Sequence, residues 1–355
     1  MTNIQKLMDA VPGKNTCALI TSDINRRYFT GMKSSAGIIM CFKEKAYLII
    51  DFRYYEKAVS IVSDCEVILE KDRTVQINEL LKKHGTSVVM IEADNMTVSG
   101  LNSLRMSFPK INIDFSSSLS SSIDKMRIIK SESEIQRIEC AQKITDDTFM
   151  YVLDTISEGM TEKELAMLID DHIKQLGAED ISFNTIALSG KNTSLPHGVP
   201  GCDKIQKNCF ILMDFGAIFD GMHSDMTRTV YFGEPCEEEI MAYNVVLETQ
   251  LQALENIRAG VLCSELDQAA HDYINGKGYE GSFGHSLGHG VGMEIHEKPA
   301  VSRTNEYILQ KGNIITVEPG IYLPGKFGIR IEDMVMVDEV SYRNFTKSKK
   351  ELIKL

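Results

Sequence analysis

The chain contains no C-x-x-C pair, no apolar run near the ~20 residues of a membrane-spanning helix, and no excess of basic residues. Each absence removes a class of protein. Its eight cysteines (Cys17, Cys41, Cys65, Cys140, Cys202, Cys209, Cys236 and Cys263) are scattered, and none sits in a recognisable nucleophile motif, so they read as reduced, structural thiols. The start, "MTNIQKLMDAVPGK", lacks a basic stretch followed by an apolar core, so no secretory signal is expected and a cytoplasmic location is. With 38 Lys and Arg against 50 Asp and Glu, the formal charge of −12 repels polyanions. The one basic cluster, the tail "KSKKELIKL", reads as a solvated terminus, so neither nucleic acid nor membrane is an expected partner.

What is present is ordinary for a globular protein: 43% hydrophobic and 25% charged residues over 355 positions, a length that suits two domains. In the first part, the β-rich apolar runs "CALITS", "AGIIMCF", "AYLIID", "CEVILE" and "SVVMIEA" alternate with helical patterns such as "VQINELLKKHG". This predicts a smaller N-terminal α/β domain over 1–122, closed by the serine-rich "SSSLSSS" (116–122), which reads as a linker. A second domain is expected over 123–355, making the chain α+β as a whole. It opens with Ser131 and Glu134 at capping-box spacing before a long amphipathic helix.

The second domain echoes itself. At a constant offset of 101 residues, Ile156, Gly159, Glu164, Leu165, Asp171, Ile173 and Gly177 recur as Ile257, Gly260, Glu265, Leu266, Asp272, Ile274 and Gly278. Two copies are too few for a solenoid, so a duplicated half-domain with a pseudo-two-fold axis is expected. A strand pair follows each copy. In "NCFILMDFGAIFDGMHSDMTRTVYFG" (208–233), Asp220-Gly221 is a hairpin turn signal. If it forms the turn, Asp214 faces Thr227 and Asp225 is the diagonal neighbour on the same face. In "NIITVEPGIYLPGKFGIRIEDMVMV" (313–337), Pro324-Gly325 marks the turn, and Glu318 and Glu332 lie almost symmetrically about it, with Arg330 on the face of Glu332. A two-fold axis would bring all four acids together.

Between these hairpins lies "GHSLGHGVGMEIHE" (284–297). It is not in G-x-G-x-x-G register, which argues against a phosphate loop, and His289 has better partners in the four distant carboxylates than in His285. Acids inside strands such as "ILMDFGA" and "ITVEPGIY" are expected to be buried, and unpaired they would cost several kcal/mol each. Two divalent cations would balance four carboxylates, with His289 as a neutral nitrogen ligand. An oxygen-rich set with one imidazole suits manganese, cobalt or iron at least as well as zinc.

"DFG", "HSDMTRT", "GHGVGMEIHE", "VEPGIY" and "GIRIED", taken in order over about residues 125–345, resemble the signatures of the pita-bread-fold metallopeptidases, which include methionine aminopeptidase, Xaa-Pro aminopeptidase, prolidase and creatinase. "NRRYFTG" and "DFRYYEKA" are similar to the extra N-terminal domain of the Xaa-Pro aminopeptidase and prolidase branch. The resemblance implies a C-terminal pita-bread (creatinase/aminopeptidase) domain behind a creatinase/prolidase-type α/β domain. It implies five ligands to two divalent ions per subunit, most simply Mn2+, with Co2+ or Zn2+ as alternatives: Asp225 and Glu332 bridging, Asp214 completing one site, His289 and Glu318 the other. It further implies substrate contacts from His197 (in "SLPHGVP") and His296, an orienting role for Arg330, and a pocket role for His285. The implied activity is an Xaa-Pro aminopeptidase, acting through a metal-bridging hydroxide with Glu318 shuttling the proton, on peptides with proline second. A prolidase restricted to dipeptides and a non-catalytic binding protein are the alternatives, and a homodimer is the expected assembly. "DGMHSD" departs from the family's usual aromatic after the hairpin glycine, and His223 is expected not to be a ligand. His84, His172 and His271 are expected in bland surface or core roles.

Overall fold

A computed structural model describes residues 1–355, which form two compact units, Met1–Arg127 and Ile128–Leu355. No helix is long and apolar enough to cross a membrane.

The first unit is built on a six-stranded mixed sheet in the order Glu66–Leu69, Ala46–Ile50, Ile38–Phe42, Thr16–Ile20, Val88–Ile91 and Asn112–Asp114. Its three central strands pair antiparallel and the outer ones join in parallel. The central three are buried at every position, which is why they read as continuous apolar runs rather than alternating ones. The sixth strand, "NID", is too short and polar to announce itself in sequence.

The serine-rich segment is not a linker. Residues Ser118–Arg127 form the last helix of this unit, and the division between units falls after Arg127 instead of after residue 122. Leu119 and Ile123, four apart on one face, are fully buried, while Ser122 Oγ donates to the Ser118 carbonyl at 2.8 Å. Docking of the apolar pair outweighs the weak helix propensity of serine.

In the second unit, helices Glu132–Thr155 and Glu162–Gln175 are matched by Glu237–Asn256 and Cys263–Gly276. The second and fourth of these are both 14 residues long and keep the 101-residue offset at both ends. Gly177 and Gly278, just beyond them, both have left-handed backbones with φ of 90° and 91°, where a side chain would be strained. Ser131 and Glu134 form the expected cap, with the Ser131 N–H donating to Glu134 Oε2 at 2.7 Å.

Each helix pair covers its own sheet. Leu165, Ile169 and Ile173 pack with Ile211, Met213 and Phe215 in the first half. Leu266, Ile274 and Leu254 pack with Ile315, Val317 and Val335 in the second. Strand Cys209–Phe215 lies between Met226–Phe232 and Ile186–Ser189, and strand Ile314–Val317 lies between Gly288–Gly290 and Asp333–Val337.

The basic tail is also not merely solvated. Its main chain runs beside strand Met226–Phe232, where the Tyr231 N–H donates to Ile353 O at 2.9 Å and the Leu355 N–H donates to Tyr231 O at 2.9 Å. Ile353 and Leu355 pack on the first-half core, so Lys354 between them faces outward while the backbone closes a sheet edge.

Candidate metal centre

Both hairpins form, the first in the anticipated register. Asp220 and Gly221 both have positive φ, as a two-residue hairpin turn demands, and Asp214 pairs with Thr227. In the second hairpin Leu323 pairs with Phe327 around Pro324–Lys326, and Val317 pairs with Asp333, so Glu318 and Glu332 stand opposite one another. Asp214 lies within a paired strand, and the other three acids sit where the ladders are interrupted. Asp225 precedes strand Met226–Phe232, Glu318 follows Ile314–Val317, and Glu332 separates Phe327–Arg330 from Asp333–Val337. The breaks release side chains from the pleat and turn them into one cleft.

The two hairpins are stitched together at this point. The Glu332 N–H donates to Thr227 O at 3.1 Å, and Thr227 Oγ1 donates to Glu332 Oε2 at 2.7 Å. Asp333, next along, faces the opposite way and accepts from Arg228 Nη2 at 2.7 Å, with Lys350 Nζ at 2.6 Å from its other oxygen. Burial alone would raise the Asp333 carboxyl, but these two cations hold it below its ordinary range.

Inside the cleft a single cation, Arg330, opposes the same rise and is outweighed by burial and the neighbouring acids. Asp225 and Glu332 are only 4% and 2% exposed. Burial and then the Glu332 charge push the Asp225 carboxyl well up, and burial and then Glu318 do the same to Glu332. Burial raises Glu318 to about 8, opposed by Arg330. His289 is lowered to about 4 by burial and by neighbouring His296, so it is neutral near pH 7. Its Nδ1 lies 3.1 Å from the Gly290 carbonyl, which can only accept, so Nδ1 carries the proton and Nε2 presents a lone pair. That lone pair faces Asp225 Oδ2 at 3.4 Å and Glu318 Oε1 at 3.5 Å.

Three acceptors facing one another in a buried site are what a cation resolves. Asp225, His289 and Glu332 offer ligand atoms all within 4.8 Å of one another. Asp214 adds Oδ1, which is buried without a hydrogen-bond partner, while its Oδ2 accepts from Arg330 Nη2 at 2.6 Å. The donor set therefore fits divalent cations of the manganese, cobalt or zinc type.

Arg330, 2% exposed, also donates to Thr227 Oγ1 at 2.9 Å, to Tyr322 OH at 2.7 Å and to the Pro196 carbonyl at 3.3 Å. The chain continues to His285, whose Nε2 is 2.9 Å from Tyr322 OH and whose Nδ1 is 2.9 Å from the Ser286 carbonyl. The carbonyl assigns the His285 proton to Nδ1, so Tyr322 donates to Nε2 while accepting from Arg330. Burial, then Arg330, lowers His285 to about 3, which keeps it neutral.

His296 is exposed, with its ring 4.3 Å from that of His289. His197 is exposed on the loop before residue 201 and lines the same cleft. Both ends of that loop are tied to one buried carboxylate: Glu162 accepts from the Ser189 N–H at 2.7 Å, Asn192 Nδ2 at 3.0 Å and the Gly201 N–H at 3.1 Å. The nine residues given a metal or substrate role from the sequence thus border one cavity of about 860 Å³. His223 does not line it. His84 stacks on Phe42, and His172 stacks on Tyr151.

Sequence reasoning missed Thr227, Thr316 and Tyr322. Thr316 Oγ1 accepts from the His289 N–H at 3.1 Å and donates to Glu318 Oε1 at 3.2 Å. Thr227 was visible as the residue paired with Asp214. The signal for Tyr322 is a polar-tipped ring inside the otherwise apolar strand "GIYL".

Residues 136–339 match Metallopeptidase family M24, and residues 2–129 match the Creatinase/Prolidase N-terminal domain. The chain is 38% identical to the uncharacterized peptidase YqhT of Bacillus subtilis, over 94% of each chain. Among solved structures it resembles an Xaa-Pro dipeptidase from Bacillus anthracis (TM-score 0.95, 36% identity, 99% of each chain). It also resembles an X-Pro aminopeptidase from Thermotoga maritima (TM-score 0.90, 34% identity, 96% of this chain and 97% of that one).

Proposed function

The chain belongs to metallopeptidase family M24, and on that premise we propose that it is an Xaa-Pro aminopeptidase, removing the first residue from peptides with proline second. The observation that carries the aminopeptidase reading is the commitment of Arg330. Of the two Lys or Arg side chains lining the cleft, Arg330 is spent on Asp214, Thr227, Tyr322 and Pro196, and the other, Lys163, is exposed. No buried cation is left to demand a free carboxylate on the residue after the scissile bond, so a longer peptide is accommodated. Dipeptide hydrolysis is the second reading, favoured by the likeness to the Bacillus anthracis dipeptidase.

In this reading two divalent cations would be held by Asp225 and Glu332 in common, with Asp214 serving one and His289 and Glu318 the other. When bound, such cations polarise the scissile carbonyl and lower the pKa of an attacking water. The remaining work falls to side chains. Glu318 takes a proton from the water and delivers it to the departing proline nitrogen, so that water's OH ends on the acyl carbon and its proton on the amine. His296 and His197, at the open side of the cleft, contact the peptide and the charge developing on its carbonyl oxygen. The run from Arg330 through Tyr322 to neutral His285 fixes Asp214 in orientation. The oxygen-rich set favours manganese, and a homodimer is the proposed assembly.

The test uses metal-stripped enzyme restored with manganese, cobalt or zinc and assayed on Xaa-Pro dipeptides and Xaa-Pro-Xaa tripeptides. Comparable cleavage of both supports the aminopeptidase; cleavage of dipeptides alone replaces it with the dipeptidase. Failure on both sets with every metal overturns the catalytic reading.

A further inference from the structure

The duplicated helices use one face differently. In the second half, helix Cys263–Gly276 turns Asp267 and His271 onto the segment 283–287. Asp267 Oδ1 accepts the Leu287 N–H at 2.7 Å, His271 Nε2 is 3.2 Å from the His285 carbonyl, and Phe283 stacks on the His271 ring at 4.2 Å. The 101-residue offset maps these two positions onto Ala166 and Asp170 of helix Glu162–Gln175. There the face is open. Lys163, Ala166, Met167 and Asp170, at spacings that share one helix face, line the cleft that holds the metal-centre carboxylates, and Met167 is 55% exposed.

Asp170 interrupts a lining that is otherwise largely apolar and includes Ile181, Phe183 and Ile186. Its Oδ1 accepts from Thr185 Oγ1 at 2.5 Å, and its Oδ2 makes no hydrogen bond within the chain. Burial raises its pKa, against the Thr185 hydrogen bond. The nearby cation Lys174 is engaged by Asp180 at 3.4 Å, and Lys163 is two turns away, roughly 10 Å along the helix axis. A half-buried carboxylate with one free oxygen is left for a ligand to neutralise.

We propose that this open helix face is a side-chain subsite for a lysine or arginine of the peptide substrate, whose stem lies along Ala166, Met167 and Phe183 and whose cation meets Asp170 Oδ2. The subsite rests on the peptidase reading above and specifies its preferred substrates. A long cationic side chain matches both parts of the wall, apolar for its methylenes and anionic for its head.

The manganese-loaded enzyme is assayed on two peptide pairs, Lys-Pro-Ala against norleucine-Pro-Ala and Ala-Pro-Lys against Ala-Pro-norleucine. In one pair kcat/KM favours lysine by about tenfold; Asp170→Asn brings that ratio to near unity, and Asp170→Glu restores most of it. A wild-type ratio near unity in both pairs, or a preference that Asp170→Asn leaves intact, overturns the subsite. Cleavage of the norleucine peptides shows that the peptidase reading stands, so those failures count against the subsite alone. No cleavage of any of the four peptides overturns both.

Discussion

Arg330 and Asp214 meet at 2.6 Å through Nη2 and Oδ2, one strand from each half of the duplicated domain, while Asp214 Oδ1 is left buried and unpartnered. The arginine holds one oxygen of the carboxylate and thereby points the other into the site. The pair joins the two hairpins and gives the acid cluster its one buried counter-charge inside the cleft.

Glu318 accepts from Thr316 Oγ1 at 3.2 Å and its Oε1 lies 3.5 Å from His289 Nε2, which holds its carboxylate inside the site. Glu318→Gln keeps the shape and removes the proton acceptor. Turnover of an Xaa-Pro peptide should fall by ~10²–10⁴-fold, with the far-UV circular dichroism of the parent retained. Undiminished hydrolysis by a folded variant would rule out this role.

Tyr322→Phe removes one hydroxyl that serves buried Arg330 Nη1 and half-buried His285 Nε2. Leaving His285 Nε2 without this partner and Arg330 Nη1 with the Pro196 carbonyl alone should cost about 1–3 kcal/mol, read as a lower denaturation midpoint, together with a loss of kcat. Unchanged stability and kcat would mean that the run from Arg330 to His285 is not coupled through this hydroxyl.

Gly288 passes so close to the neighbouring strand that an added Cβ would lie 2.0 Å from the Thr316 carbonyl oxygen. Gly288→Ala must push His289 away from Thr316 and Glu318, destabilising by about 1–3 kcal/mol. Bound manganese per subunit, measured by elemental analysis after dialysis, should drop in parallel. Full metal occupancy in the variant would contradict the placement of His289 by this contact.

The raised carboxyls set a pH dependence with a definite sign. Glu318 titrates at about 8 in the folded, metal-free protein but at about 4.3 when unfolded, so the folded state binds the extra proton between those values. Its contribution to stability is complete below the unfolded value and is lost as pH rises through the folded one. Asp225 and Glu332 are raised in the same direction. Chelator-treated protein should therefore lose Tm between pH 5.5 and pH 8.5, and Glu332→Gln should flatten that slope. Manganese-loaded protein should show the opposite trend at this site, because the ligands must shed protons to bind the metal. Identical melting of the chelated protein at both pH values would argue against a protonated cluster.

Sequence alone determined which chemistry is present and the local frame that carries it. Turn residues and strand periodicity are local properties, so Asp220-Gly221 set the register that pairs Asp214 with Thr227, while Pro324-Gly325 located the second turn, whose three-residue loop sets Glu318 opposite Glu332. The 101-residue echo foretold two equal helices because glycine stops and apolar spacing survive duplication. Tertiary structure decided what depends on contacts between segments distant in the chain. Ser118–Arg127 is helical because Leu119 and Ile123 find a core, and the tail is ordered because a sheet edge accepts it. Tyr322 and Thr227 matter because they stand between groups contributed by different hairpins. The open face at Asp170, filled in its duplicate by Phe283 and Leu287, follows from which loop packs where, and no pattern along one strand or helix encodes that.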